Sequence, residues 1–264
     1  MASTSALCLE ALRAPAGVTV ALQPVSSDAV RARAPKALTT GETLDFRTLV
    51  PQPGGLFDYK LFGPGTVIDA PALDLDAPAR PPKTQFARIV LPAAIVHPLA
   101  FAHAPARLAV LASWPEADVL ACRGGDAARR RLADLAAALE ASPDGRAFVL
   151  RELPVLPPDL RPLIRLDDDR WQTSPINEHY RHVMRRSSRL AKALEAGGPP
   201  DVLDAELAGL DGALESLFDN LCALAGGTPE LFDALAALAG GAEVTGRLYR
   251  ASAVLFALGF ELAA

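Results

Sequence analysis

Seven leucines constrain this chain more than any other feature. Leu203, Leu207, Leu210, Leu214, Leu217, Leu221 and Leu224 succeed one another at alternating spacings of four and three. Just upstream, Ile176, Tyr180, Val183, Ser187, Leu190 and Leu194 keep the same spacing. A mean repeat of about 3.5 residues holds one narrow apolar seam toward a partner helix. Gly197-Gly-Pro-Pro200 separates the two runs, and neither glycine pairs nor prolines continue a helix. The expected unit is therefore an antiparallel helical hairpin. Ser174 is a candidate N-cap with Pro175 at the first helical position, and Asp201 is placed to cap the second helix. At 1.5 Å per residue, two helices of ~20 residues give rods ~30 Å long, with much surface left for partners.

The bulk properties narrow the class of protein. The chain has 264 residues, of which 50% are hydrophobic, enough for one large domain or two small ones. Its net charge of −5 carries no polyanion-binding signature. Cys8, Cys122 and Cys222 are odd in number, far apart and outside any Cys-x-x-Cys pattern, which suits a reducing cytoplasm. No basic-then-apolar leader is evident at the N-terminus, and the longest apolar run, Ala251 to Phe260, is too short to span a bilayer. Cytoplasmic localisation without membrane contact is the expectation.

Around the hairpin the pattern is mixed. Gly17 to Leu22 and Phe86 to Val96 alternate or run apolar as strands do, and Arg146 to Leu153 reads as another strand. Ser26 to Ala34 suggests a short helix capped by Ser26 or Ser27. Asp126 to Leu139 suggests a longer one with Leu132, Leu135 and Leu139 on one face. Thr228-Pro-Glu opens a helix to about Ala239. A final helix is expected to carry Val244, Leu248, Ala251, Leu255, Leu258 and Leu262 on one side. The fold class is α+β, mostly helical. His97 and His103 lack acidic or cysteine companions in the sequence and read as structural or surface residues. Arg129-Arg-Arg131 reads as a solvated helix face more readily than as a phosphate contact.

Several strings go beyond generic patterning. Leu153-Pro-Val-Leu-Pro-Pro-Asp-Leu-Arg-Pro162 precedes the hairpin, and Asn177-Glu-His-Tyr-Arg-His-Val-Met-Arg-Arg-Ser-Ser-Arg-Leu190 forms its first helix. Ala213-Leu-Glu-Ser-Leu-Phe-Asp-Asn220 lies in the second. Together they resemble the N-terminal part of the bacterial RNA polymerase β′ subunit: the lead-in to its lid and its two clamp helices. A second resemblance to that family runs through Glu42, Thr43, Arg47, Thr48, Gly55, Leu56, Phe57, Phe62, Gly63 and Pro64, residues that also read simply as turn and packing positions. A third runs from Phe86 to Trp114. The resemblance implies a β′ clamp-like base with a protruding antiparallel coiled-coil hairpin.

It also implies a division of the chain. Residues 1–64 correspond to the N-terminal clamp-like segment and 65–85 to a linker. Residues 86–165 form the clamp base and the lead-in to the lid, 166–224 the clamp-helix hairpin and 225–264 the C-terminal helices. After Pro64 the β′ family carries a four-cysteine zinc module. The Pro- and Asp-rich stretch here holds no Cys or His, so no zinc site is expected, and an extended linker is. Residues 225–264 match the family poorly and read as a cover for apolar surface.

Motifs for catalysis are missing from the sequence. The Asn-Ala-Asp-Phe-Asp-Gly-Asp cluster that holds the metal ions of β′ does not occur, and neither does a phosphate loop or a nucleophile elbow. Asp167-Asp-Asp169 aligns with the lid tip, and three adjacent carboxylates cannot all face one metal from a regular element. The sequence reading is thus of a non-catalytic β′-like protein with no catalytic residue, metal or cofactor.

Binding is then the expected function. In the family the clamp helices dock region 2 of σ factors, and elongation regulators of the NusG type use the same tip. The resemblance implies partner-facing roles for Arg181, Arg185, Arg186 and Arg189 on the first helix and Glu206, Leu210 and Ala213 on the second. It further allows a nucleic-acid contact through lid residues Arg161, Arg165 and Arg170, which the acidic net charge supports only weakly. Arginine beside leucine suits interface cores. The same charges could instead pair across the hairpin and only solvate it. Ser187 and Ser188 replace asparagines usual in the family, and Gly209 and Gly212 loosen the second helix by roughly 1 kcal/mol each relative to alanine. The expected function is σ-factor or σ-like regulator binding that modulates transcription, possible RNA polymerase subunits being further partners. A subunit of a split polymerase and a scaffold for an unrelated partner are the alternatives.

Overall fold

A ten-residue strand bent in its middle gives the base its spine. In the computed structural model, which describes residues 7–8, 20–45, 47–63, 74–78, 85–103, 105–123, 125–167 and 170–262, the elements run in the following order. First come β1 (Leu7–Cys8), β2 (Ala21–Pro24), α1 (Ser27–Arg33), β3 (Leu44–Asp45), β4 (Val50–Pro51) and α2 (Tyr59–Phe62). Then follow β5 (Ala87–Val96), α3 (Pro98–His103), α4 (Pro105–Ala112), α5 (Glu116–Leu120), α6 (Gly125–Ala141), β6 (Val149–Val155), β7 (Leu163–Asp167) and β8 (Arg170–Thr173). The chain continues through α7 (Pro175–Glu195), α8 (Pro200–Leu224), α9 (Thr228–Ala239), α10 (Gly246–Ala257) and β9 (Phe260–Leu262). Small antiparallel sheets among many helices match the mostly helical α+β class expected from the sequence.

β5 pairs antiparallel with β6 from Ala87↔Val155 to Val90↔Glu152, and again at Ile95↔Leu150 and Val96↔Val149. Residues 91–94 bulge out opposite Arg151. Pro92 lies in that bulge, where its missing N–H costs no ladder bond. α6 and α7 lie against β5, and α1 and α10 lie against β6. One apolar core extends from Val20 to Phe260 and takes in residues of both rods.

The C-terminal segment departs from its expected form. α10 stops at Ala257, and Gly259 takes a positive φ of 82° that a glycine adopts without strain. Phe260–Leu262 then turns into β9, which pairs antiparallel with β2 through Leu22↔Leu262 and Pro24↔Phe260. His97 braces this turn: buried at the end of β5, it donates from Nε2 to the Leu258 carbonyl at 2.6 Å. Its Nδ1 accepts from the Leu99 N–H at 3.2 Å, which fixes the tautomer. Phe218 and Phe260 flank the ring, and burial pulls its pKa down to about 4.

The expected helix caps are only partly realised. Ser26 caps α1 through a bond accepted from the Ala29 N–H. Ser174 occupies the N-cap of α7 but makes no capping bond, and Pro199, rather than Asp201, is the N-cap of α8. Proline at the first helical positions removes one of the donors that such a cap would satisfy. The expected strand at 17–22 is described only from Val20, and His103 and Arg129–Arg130 have side chains outside the described residues. Arg131 is exposed and pairs with Asp118 at 3.2 Å. No single helix among the described residues is long and apolar enough to cross a membrane.

Candidate docking surface on the paired helices

The leucine seam closes as its spacing requires. Tyr180, Val183 and Leu190 of α7 are buried, as are Leu207, Leu210, Leu214, Leu217 and Leu221 of α8. Arg189 lies opposite Glu206 and Arg186 lies across Gly209, so the two rods run in opposite directions. From 191 to 206, around the connecting turn, no residue is buried. Leu194 and Val202 in this stretch are each 42% exposed. The rods therefore stand on the base by their proximal parts and leave the distal turn free.

Near that free end the charges are organised. Glu206, mostly covered, accepts from Arg189 Nη2 at 2.6 Å, while Arg186 Nη1 stands 3.9 Å from its other oxygen. That second oxygen is buried and has no hydrogen-bond partner among the described residues. Gly209 gives Arg186 room, because a Cβ there would sit 3.0 Å from Arg186 Nη1. Arg185 is exposed and makes no ion pair among the described residues. Arg181 pairs with Glu178 at 3.1 Å on its own helix and passes over Gly41 of the base, whose Cβ would meet the Arg181 Cα at 3.0 Å. Two of the expected partner-facing residues do not face outward. Leu210 is fully buried and Ala213 nearly so, because the heptad places both toward the base and the other rod.

Arg161 also requires a correction. It is fully buried and offers nothing to a nucleic acid. Its Nε donates to the Leu156 carbonyl, Nη1 to Asn177 Oδ1 and Nη2 to the Leu56 carbonyl, each at 2.8 Å. The guanidinium also lies over the rings of Phe57, Phe62 and Tyr180, at 5.2, 4.9 and 5.7 Å from their centroids. Burial draws its pKa down to about 10 and pushes the Tyr180 hydroxyl up to about 12. Tyr180 Oη accepts from the Leu156 N–H at 3.1 Å, and Asn177 Nδ2 donates back to the Arg161 carbonyl at 3.1 Å. This network joins the Pro-rich lead-in, the 55–62 segment and the root of α7. An arginine flanked by prolines looks like a surface residue in the sequence. The available signal was Asn177 on the seam side of the first helix, a polar group that needed a partner. Arg165 and Arg170 belong to β7 and β8, paired through Arg165↔Trp171 and Asp167↔Arg170, and their side chains lie outside the described residues.

At the opposite end of the rods lies a cavity of about 420 Å³ that the sequence did not announce. Asp159, Leu160, Pro162 and Ile164 form one side, Gln172 to Pro175 another, and Leu224 and Arg250 the rest. Among the described residues no group of three or more His, Cys, Asp or Glu side chains is placed to hold a metal ion.

Comparison with known proteins agrees with this geometry over one part of the chain. Residues 140–226, which span β6, the β7–β8 hairpin and both rods, match the family model "RNA polymerase Rpb1, domain 1". The DNA-directed RNA polymerase subunit beta' of Streptomyces avermitilis is 41% identical over 93 residues, covering 35% of this chain and 7% of the relative. That of Bifidobacterium adolescentis is 43% identical and that of Corynebacterium kroppenstedtii 40%, each over 93 residues. This chain therefore contains a β′-like segment, and it spans 7% of the length of these curated relatives. The segments at 42–64 and 86–114 lie outside the matched 140–226. One expectation is overturned: the relatives are by name subunits of a DNA-directed RNA polymerase, an enzyme, so the exclusion of enzymatic function drawn from missing motifs does not hold.

Proposed function

We propose that the chain is a transcription protein whose paired rods dock a helical partner, a σ factor through its region 2 or a regulator that competes for the same surface. The observation that carries this reading is the free distal stretch from 191 to 206. It presents Leu194 and Val202 as apolar area and ends on Glu206, which is paired with the exposed Arg189. Partial apolar exposure rimmed by arginines suits an interface. The surface has both signs of charge, which sets register and orientation against a partner helix more than it adds affinity. The relatives' β′ identity supplies the class of partner.

The test is a calorimetric titration of the full chain with σ region-2 fragments from its own organism. Saturable binding that weakens about tenfold or more in Arg189→Ala combined with Glu206→Ala supports the reading. Leu194→Ser should weaken it independently. An absence of heat with every σ factor of the organism removes it. Association with RNA polymerase subunits is a second reading, favoured by the relatives being subunits of that enzyme. Co-purification from the native organism distinguishes it, because polymerase subunits would then appear without a σ factor.

A further inference from the structure

The cavity at the roots of the rods combines an apolar lining with an arginine that has no counter-ion among the described residues. Leu160, Pro162, Ile164, Pro175 and Leu224 supply apolar wall, and the space of about 420 Å³ is in the range of small-molecule sites. Arg250 reaches this wall from α10. Its Nε is buried without a hydrogen-bond partner, and Arg250 forms no ion pair among the described residues. A half-buried guanidinium is always charged and costs free energy when its donors are unmatched. The one acidic side chain in the lining, Asp159, already has a partner of its own. Ser174 adds a hydroxyl that does not cap α7, and Thr173 Oγ1 accepts from Asn177 Nδ2 at 2.8 Å, which leaves its own proton to donate.

We infer that this cavity binds a small molecule with an apolar body and a single carboxylate, the carboxylate meeting Arg250 and the apolar part lying against Leu160, Ile164 and Leu224. Such a ligand would be held at once by the β7–β8 hairpin, the start of α7, the end of α8 and α10. The inference stands apart from the docking surface, which is at the other end of the rods, some 30 Å away at 1.5 Å per helical residue.

Decanoate is a suitable probe, with decan-1-ol and decylamine as matched controls on the full chain. The expected result is saturable decanoate binding by calorimetry, with amide shifts in nuclear magnetic resonance spectra centred on Ser174, Leu224 and Arg250. Decanol and decylamine should bind at least about tenfold more weakly, since a charge-assisted bond to arginine is lost. Arg250→Gln should bring decanoate down to the level of decanol, and Arg250→Lys should retain part of the preference. Ser174→Ala should weaken decanoate by a smaller factor and leave decanol unchanged. Equal binding of decanoate and decanol to the unaltered chain, or shifts centred elsewhere, overturns the inference. So does no detectable decanoate binding to a chain whose spectrum shows it folded.

Discussion

Arg161 donates to Asn177 Oδ1 at 2.8 Å, and both side chains are buried. The bond ties the Pro-rich lead-in to the first turn of α7, and the other two donor groups of Arg161 reach the carbonyls of Leu156 and Leu56. Methionine in place of Arg161 would keep much of the volume but leave three acceptors without donors. Arg161→Met is expected to cost about 3–5 kcal/mol. Lysine keeps the charge but cannot reach three acceptors from one fork, so Arg161→Lys should also cost more than about 1 kcal/mol. Urea unfolding checks both, and a Met variant as stable as the unaltered chain would refute the structural role.

His97 makes stability depend on pH. Its folded pKa of about 4 lies below the ordinary value of 6.5, so between these limits the unfolded chain binds the extra proton. Stability then rises with pH. The contribution is complete above about pH 6.5 and is lost progressively as pH falls toward 4. The full loss is roughly 3 kcal/mol, with a slope of about 1 kcal/mol per pH unit near pH 5.5. Denaturant titrations at several pH values should show that slope. His97→Gln, which retains a donor and does not titrate, should flatten it. A variant with the same slope would show that other groups carry the acid sensitivity.

Leu210 separates packing from docking. It lies fully buried on the seam, so Leu210→Ala should cost about 2–5 kcal/mol of stability through the cavity it leaves. Arg189→Ala, which removes the exposed partner of the mostly covered Glu206, should cost less, about 1 kcal/mol. Loss of partner binding in the leucine variant therefore says nothing about a contact. Thermal melts of the two variants decide this, and a mild Leu210→Ala would show the seam to be looser than drawn.

The rods were legible because their leucines answer to a period that one geometry satisfies. β5 was legible for the same kind of reason, from the apolar run between Ala87 and Val96. The final helix was read too far, since Leu255, Leu258 and Leu262 fit a helical face, yet Gly259 ends it and turns Leu262 into a strand. Glycine after a helix is a stop signal, and it was outweighed by periodicity. The fate of Arg161 and the cavity beside Arg250 were not legible, because each is assembled from segments far apart in sequence. Nothing in the local composition around Pro162 states that Leu56 and Asn177 will converge there.

The stretch expected as an extended linker at 65–85 behaves differently where it is described. Asp74 Oδ1 accepts from the N–H groups of Asp76 and Ala77, which folds the segment into a turn. The carbonyls of Ala77 and Leu75 then accept from the Gly246 and Arg247 N–H groups at 3.0 and 2.9 Å. Those are first-turn donors of α10 that no intrahelical acceptor can reach. Thr245 supplies the remaining cap by accepting from the Leu248 N–H. The approach is close: a Cβ on Gly246 would lie 2.0 Å from the Asp74 carbonyl oxygen. Gly246→Ala is therefore expected to displace the turn and cost about 1–3 kcal/mol, despite alanine's better helix propensity. Arg247→Ala, which removes only an exposed pair with Asp76, should cost at most about 1 kcal/mol. Hydrogen exchange provides the second readout. The amides of residues 246 and 247 should lose protection in Gly246→Ala and keep it in Arg247→Ala. Retained protection in the alanine-246 variant would mean that the turn is not what caps α10.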